Sequence, residues 1–149
     1  MFYDTANFQE KLIENRDQRS HAIVVLTPSE SKRLIAKGVV ALPELRGVLK
    51  RGLLVVSRGV TPSYIVEELM GVTLPKENCT AGIVTDGRLA VTIPDNRLGP
   101  WVFRNGKLTE ESAEAALKEF SATDVSINGA NAVDPMGNTG ILVQSDAGG

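Results

Sequence analysis

The sequence predicts an α/β domain, a mostly parallel sheet flanked by helices and interrupted by an antiparallel β-hairpin insertion. Three observations carry this prediction. β-branched runs alternate with helical apolar stripes along most of the chain. Leu53-Leu54-Val55-Val56-Ser57 is uncharged and apolar at successive positions, the pattern of a strand buried on both faces of a parallel sheet. Asp86-Gly87 separates two β-branched runs, Ala81–Thr85 and Arg88–Ile93, and is a two-residue hairpin turn.

Asp4 or Thr5 can cap a first helix whose Ala6, Phe8, Leu12 and Ile13 share a face, before the polar break at residues 16–19. Ala22-Ile23-Val24-Val25-Leu26 is expected as a strand that hands over at Thr27-Pro28-Ser29-Glu30, a capping box with proline in the first turn. The helix that follows turns Leu34 and Ile35 inward and stops near Gly38; a short helix from Pro43 to Lys50 ends at Gly52. After the Leu53–Ser57 strand comes a tight Arg58-Gly59-Val60 loop. Thr61 is then a cap, Pro62 suits the first turn, and Ile65, Val66 and Leu69 form an apolar stripe that Gly71 ends.

Residues 81–108 read as the insertion, with a second, smaller hairpin formed by Trp101-Val102-Phe103 around Asn105-Gly106. Thr109-Glu110-Glu111 opens another helix, where acidic residues interact with the helix dipole by about 0.3–1 kcal/mol each; Ala113, Ala116, Leu117 and Phe120 are its buried face. Val125 and Ile127 alternate with polar residues as a strand, and Ile141-Leu142-Val143 follows the Asp134–Asn138 turn as the last one. The whole of 1–149 is expected to be one domain.

Length and composition, 149 residues with 42% apolar and 23% charged, suit a single core. Sixteen basic against eighteen acidic side chains leave a net charge of -2, which excludes the electropositive field that phosphate-backbone binding requires, so nucleic acid is not an expected partner. Cys79 is the single cysteine, the first residues are too polar for a signal peptide, and no apolar run approaches the roughly 20 residues of a membrane span. The expectation is a cytoplasmic protein with no membrane partner. His21 stands alone without metal-ligand spacing, and Cys79 has no placed base, so neither a metal nor a cofactor is expected. Glu67-Glu68 and Glu110-Glu111 are helical neighbours pointing about 100° apart, which reads as solvated faces rather than carboxylate dyads. Trp101 and Phe103 suit either the insertion's own core or a subunit contact in a homo-oligomer.

Two loops carry the functional expectation. In Ser57-Arg58-Gly59-Val60-Thr61-Pro62-Ser63 a central strand meets a helix, so free N–H groups and the positive dipole end face one spot. Arg58, Thr61 and Ser63 add donors for phosphate or carboxylate, and Gly59 lets a backbone come close; no Gly-Lys-Ser/Thr follows, so it is not a Walker loop. The second loop, Asn128-Gly129-Ala130-Asn131-Ala132-Val133-Asp134, brings amides and one carboxylate suited to sugar hydroxyls, or alternatively to an Asx turn on their own backbone. Both loops are expected to converge on one cleft at the sheet edge.

Taken in order, Val55–Thr61, Gly129–Asp134 and Leu142-Val143-Gln144-Ser145-Asp146-Ala147-Gly148-Gly149 resemble the motif set of ribose-phosphate isomerases of the A type. That superfamily includes glucosamine-phosphate deaminases, coenzyme A transferases and sugar-responsive regulators. The resemblance implies a Rossmann-like fold and a sugar-phosphate, nucleotide or acyl-coenzyme A type of ligand; with the loop reading above, Arg58, Gly59, Thr61 and Ser63 are expected to hold its anion and Asn131 and Asp134 its hydroxyls, with Ser57, Gly129 and Gln144 completing the expected binding set. Ser57 and Val60 depart from the family's first loop, Asn131 replaces the first of two acidic residues, and Gln144 stands where the family has lysine. The sequence ends before the position of the family's catalytic glutamate. Enediolate chemistry needs a base and an oxyanion donor, so the resemblance implies the ligand class and argues against isomerase activity, with Asp134 as the remaining catalytic candidate. Two alternatives stand beside it: an enzyme whose site is completed by another subunit, and an assembly protein whose 81–108 hairpins form an oligomeric surface.

Overall fold

The computed structural model describes residues 23–85 and 87–142. The expected first helix, His21, Val143 and Gln144 lie outside the described residues. The chain divides into two compact units, Thr27–Gly129 and a second drawn from Met1–Leu26 and Ala130–Gly149.

In the larger unit, helix α1 spans Pro28–Ala41 and opens on the expected capping box: the Thr27 hydroxyl accepts from the Glu30 amide, and the Glu30 carboxylate accepts from the Thr27 amide at 2.7 Å. It runs through Gly38, which sits in open space, and ends because Leu42 precedes a proline and is held extended. Pro43 then starts α2, Pro43–Lys50. Strand β1, Leu53–Val56, leads to α3, Val60–Met70, which ends at Gly71. A short 3-10 turn at Lys76–Cys79 precedes the hairpin β2, Gly82–Thr85, and β3, Arg88–Val91, in the expected register about residues 86 and 87. β4, Trp101–Arg104, and β5, Lys107–Thr109, form the second hairpin; α4, Ala113–Lys118, and β6, Val125–Ile127, complete the unit.

The molecule is thus mixed α/β, with a four-stranded sheet in the order β5-β4-β1-β6. The expectation of a mostly parallel sheet is corrected: β1 and β6 are parallel, whereas β1–β4 and β4–β5 are antiparallel. The cause lies in the second hairpin. Trp101-Val102-Phe103 suits decoration by its sequence, but these three apolar residues pair directly with β1, Leu54 opposite Phe103 and Val56 opposite Trp101. An apolar strand gains more from burial in the main core than from a two-stranded ribbon, which is marginal in water. Of the two hairpins in the 81–108 region, β2–β3 stays a separate two-stranded sheet.

β1 is buried along its whole length, as its composition predicted. Leu54 and Val56 face a core with Leu45 and Val48 of α2, Val66 of α3, Cys79, Trp101 and Phe103. Leu53 and Val55 face the opposite side with Val102 and Ala116 of α4. Helices therefore cover both faces of one strand. α4 is shorter than expected and is capped by the Ser112 hydroxyl rather than opened at Thr109, which belongs to β5; Leu117 is accordingly exposed.

The second unit contributes β7, Ala132–Val133, paired antiparallel with β8, Thr139–Gly140. Ile141 and Leu142, expected in the last strand, lie beyond this ladder and are exposed. Ile23–Leu26, also expected as a strand, is irregular, with Ile23 97% exposed. β-branched composition supplies a preference for extended backbone but no ladder partner.

Candidate functional site

Because β1 and β6 run parallel, their carboxyl ends lie side by side, with Val56 opposite Ile127. β4 runs the other way, so its start at Trp101 lies beside the same end of β1. One sheet edge therefore collects the loop after β1, the Gly99-Pro100 segment before β4 and Asn128-Gly129 after β6. Hydrogen bonds fix the assembly: the Ser57 amide donates to the Ile127 carbonyl at 2.9 Å, and the Arg58 Nε donates to the Gly99 carbonyl at 2.7 Å. A methyl group at Gly129 would touch the Pro62 ring at 3.7 Å, so the start of the second predicted loop abuts the first.

The individual residues of the 57–63 loop have different roles. Gly59 has φ +148°, open to glycine alone in practice, and its amide donates to the Cys79 carbonyl at 2.7 Å. It is the N-cap of α3, without a side-chain cap, so Thr61 is not the cap the sequence suggested but the second residue of the helix. Ser63 is buried; its hydroxyl donates to the Val60 carbonyl at 2.7 Å and its amide to the Gly59 carbonyl at 3.0 Å. That serine closes the first turn from a fully buried position. The amides of Val60 and Thr61 precede this first intrahelical bond and, among the described residues, have no acceptor, Pro62 having no N–H to donate. Arg58 is exposed, and among the described residues its only hydrogen bond is from Nε, which leaves both terminal nitrogens of the guanidinium open. The Ser57 hydroxyl, 3.5 Å from the Arg58 carbonyl, is at the limit of hydrogen bonding and is not held by it.

Asn131 and Asp134 belong to the second unit. The Asn131 side-chain oxygen accepts from the Leu142 amide at 2.8 Å. Asp134 builds the turn it precedes: one oxygen accepts from the amides of Met136 and Asn138, each at 2.9 Å, and the other from the Asn138 side chain at 2.8 Å. The Asn138 side chain and then its amide hold this carboxyl below the usual carboxylate range. A general base works best with a pKa near the operating pH, and this environment moves Asp134 the other way. Asp134 thus shows the local Asx-turn use, whereas the Asn131 side chain bonds a backbone amide eleven residues on.

Sequence reasoning missed two features of the edge. One is the Gly99 carbonyl that orients Arg58; the Gly99-Pro100 pair marked a loop, but its approach to residue 58 depends on antiparallel pairing of β4 that no local signal announces. The other is Glu67, expected on a solvated face and found buried at 3% exposure. Cys79 is fully buried, and desolvation pushes its thiol up. An open depression of about 420 Å³ between α1 and Tyr64 shares no residue with the edge, and its charged groups are engaged: Glu30 with Thr27, Arg33 and Lys37 with Glu67 and Glu68. No helix among the described residues is long and apolar enough to cross a membrane.

Compared with known proteins, the chain matches no family model, no curated protein and no solved structure.

Proposed function

We propose that this protein binds a small phosphorylated or carboxylated metabolite at the sheet edge formed by residues 57–61 and 99, within the Thr27–Gly129 unit. The observation that carries the reading is Arg58: its Nε is tied to the Gly99 carbonyl while, among the described residues, its terminal nitrogens and the nearby Val60 and Thr61 amides have no partner. A guanidinium fixed at one end is a prepared fork for two oxygens of an anion, and a helix N-terminus adds a favourable dipole. The kinship with ribose-phosphate isomerases and their Rossmann-like relatives, suggested by the motif order, belongs to the same proposal and is supported by the β1–β6 parallel pair with α3 following β1. Isomerisation is not part of it, because Gln144 stands where that chemistry has lysine. Thermal-shift titration with inorganic phosphate, sugar phosphates, nucleotides and acyl-coenzyme A tests the reading. Stabilisation by at least one class is expected, of about 2.7 kcal/mol at a hundredfold excess over Kd; no shift with any of them counts against it.

A second reading, self-assembly, is favoured by the β2–β3 hairpin. Val84 and Leu89 oppose each other on one face with Val91 beside them, and all three are 71–81% exposed. Contiguous exposed apolar side chains on an unpaired ribbon suit burial against another surface. Sedimentation of wild type against Leu89→Asp, expected to be monomeric if the hairpin mediates assembly, distinguishes the two.

A further inference from the structure

We infer that Glu67 is a positioning residue for the sheet edge, acting through the Leu74–Cys79 segment rather than by contact with anything bound there. Its carboxylate is buried in the interior between α1 and α3. One oxygen accepts from the Leu74 amide at 2.7 Å and from Lys76 Nζ, and the other from Arg33. Lys76 Nζ also donates to the Leu74 carbonyl at 2.8 Å, so Glu67 and Lys76 together fasten both backbone polar groups of Leu74. Both cations lie over the Tyr64 ring, each 4.5 Å from its centroid.

What hangs from the fastened segment gives the clasp its consequence. The Cys79 carbonyl accepts from the Gly59 amide at 2.7 Å, and the Asn78 carbonyl accepts from the Leu98 amide at 2.7 Å. Gly59 is the N-cap of α3, and Leu98 immediately precedes the Gly99 carbonyl that holds Arg58. Both walls of the edge are therefore suspended from one 3-10 turn, and that turn is anchored by a buried carboxylate with two cationic partners. A protein that needed only a stable α1–α3 contact would be served by apolar side chains, since a buried ion pair is weak evidence of stability for its own sake. Carboxylate, lysine and backbone acting together instead fix one geometry of the turn. The functional consequence, a preset position for Arg58, rests on the binding reading above; the mechanical link does not.

Amide hydrogen exchange on the full chain tests it, because local loosening and global destabilisation have different signatures. Glu67→Gln keeps the shape but loses the charge, and a hydrogen bond to a charged group corresponds to roughly 10-fold or more in the local opening equilibrium. The expected result is at least about tenfold faster exchange at Gly59 and Leu98 with the amides of β1 unchanged. Lys76→Met, which leaves Glu67 paired with Arg33, is expected to loosen the same two amides and serves if the first variant fails to fold. Unchanged exchange at Gly59 and Leu98 in a folded variant, or an equal acceleration throughout the sheet, overturns the inference. A parallel titration with inorganic phosphate separates the two readings: no phosphate binding by the wild type removes the binding proposal while the exchange result stands.

Discussion

At the end of the sheet opposite that edge, the carboxylate of Asp124, just before β6, accepts a hydrogen bond from the Leu53 amide at 2.7 Å, at the very start of β1. Its second oxygen accepts from the Ser121 amide and hydroxyl at 2.7 and 2.8 Å. One side chain thus closes the turn before β6 and supplies the first rung beside β1. The Ser121 amide, then Leu53, hold the carboxyl below the ordinary aspartate range.

That environment predicts acid sensitivity of a definite sign. A carboxyl whose pKa is lower when folded stabilises fully above its unfolded value of about 3.9, and the contribution is lost as pH falls through the folded value. Urea unfolding between pH 2 and 7 should therefore show stability declining below about pH 4. In Asp124→Asn the protein should be weaker at neutral pH with a flatter acid limb. An unaltered acid limb in that variant would show that Asp124 is not among the groups responsible.

Trp101 lies against Gly99 so closely that a Cβ there would come within 2.7 Å of the indole ring, and Gly99 has φ +72°. Gly99→Ala should cost about 1–3 kcal/mol from strain and overpacking combined. Trp101 is the sole tryptophan, so its fluorescence should shift in the folded variant. Wild-type emission and an unchanged urea midpoint would contradict the packing described.

Arg58→Gln removes the open fork and leaves the core untouched, because the residue is exposed. Its urea midpoint should move little, surface changes usually lying within about 0.5 kcal/mol. Anion affinity, measured by calorimetry with whichever phosphate stabilises the wild type, should fall by roughly tenfold or more, the loss of a charge-assisted hydrogen bond. Equal affinity in the variant would move the anion elsewhere.

Two leucines make opposite predictions. Leu54 is fully buried at the centre of β1, and Leu54→Ala should destabilise by about 2–5 kcal/mol. Leu89 is 81% exposed on the hairpin, and Leu89→Ala should change monomer stability by less than about 0.5 kcal/mol. A large loss in the second at low protein concentration would mean that the hairpin packs against its own chain.

Features encoded by neighbouring residues were legible in the sequence. The Thr27–Glu30 capping box, the Pro43–Lys50 helix, the Gly71 stop and the hairpin about residues 86 and 87 are all short-range, each fixed by backbone chemistry within a few positions. β1 was legible as a buried strand because both of its faces are apolar. Partnership across the chain was not. Nothing near Trp101 announces that it pairs with Val56 rather than staying in a local ribbon, and nothing near Ile23 announces that its β-branched run lacks a ladder. The site divides in the same way. The strand-to-helix turn at Gly59 was readable, whereas the Gly99 tether of Arg58, the inward turn of Ser63 and the burial of Glu67 all depend on where distant segments arrive.

The central position of β1 also has a consequence for synthesis on the ribosome. Asp124, which closes the turn beside it, lies 71 residues downstream of Leu53. At about 5–20 residues per second, that separation leaves Leu53–Val56 without its β6 neighbour for roughly 4–14 s after it is translated. During this interval four consecutive aliphatic residues are a natural target for a holding chaperone. A nascent chain halted shortly before residue 125 should therefore be more sensitive to protease than one extended past Ile127 and clear of the exit tunnel.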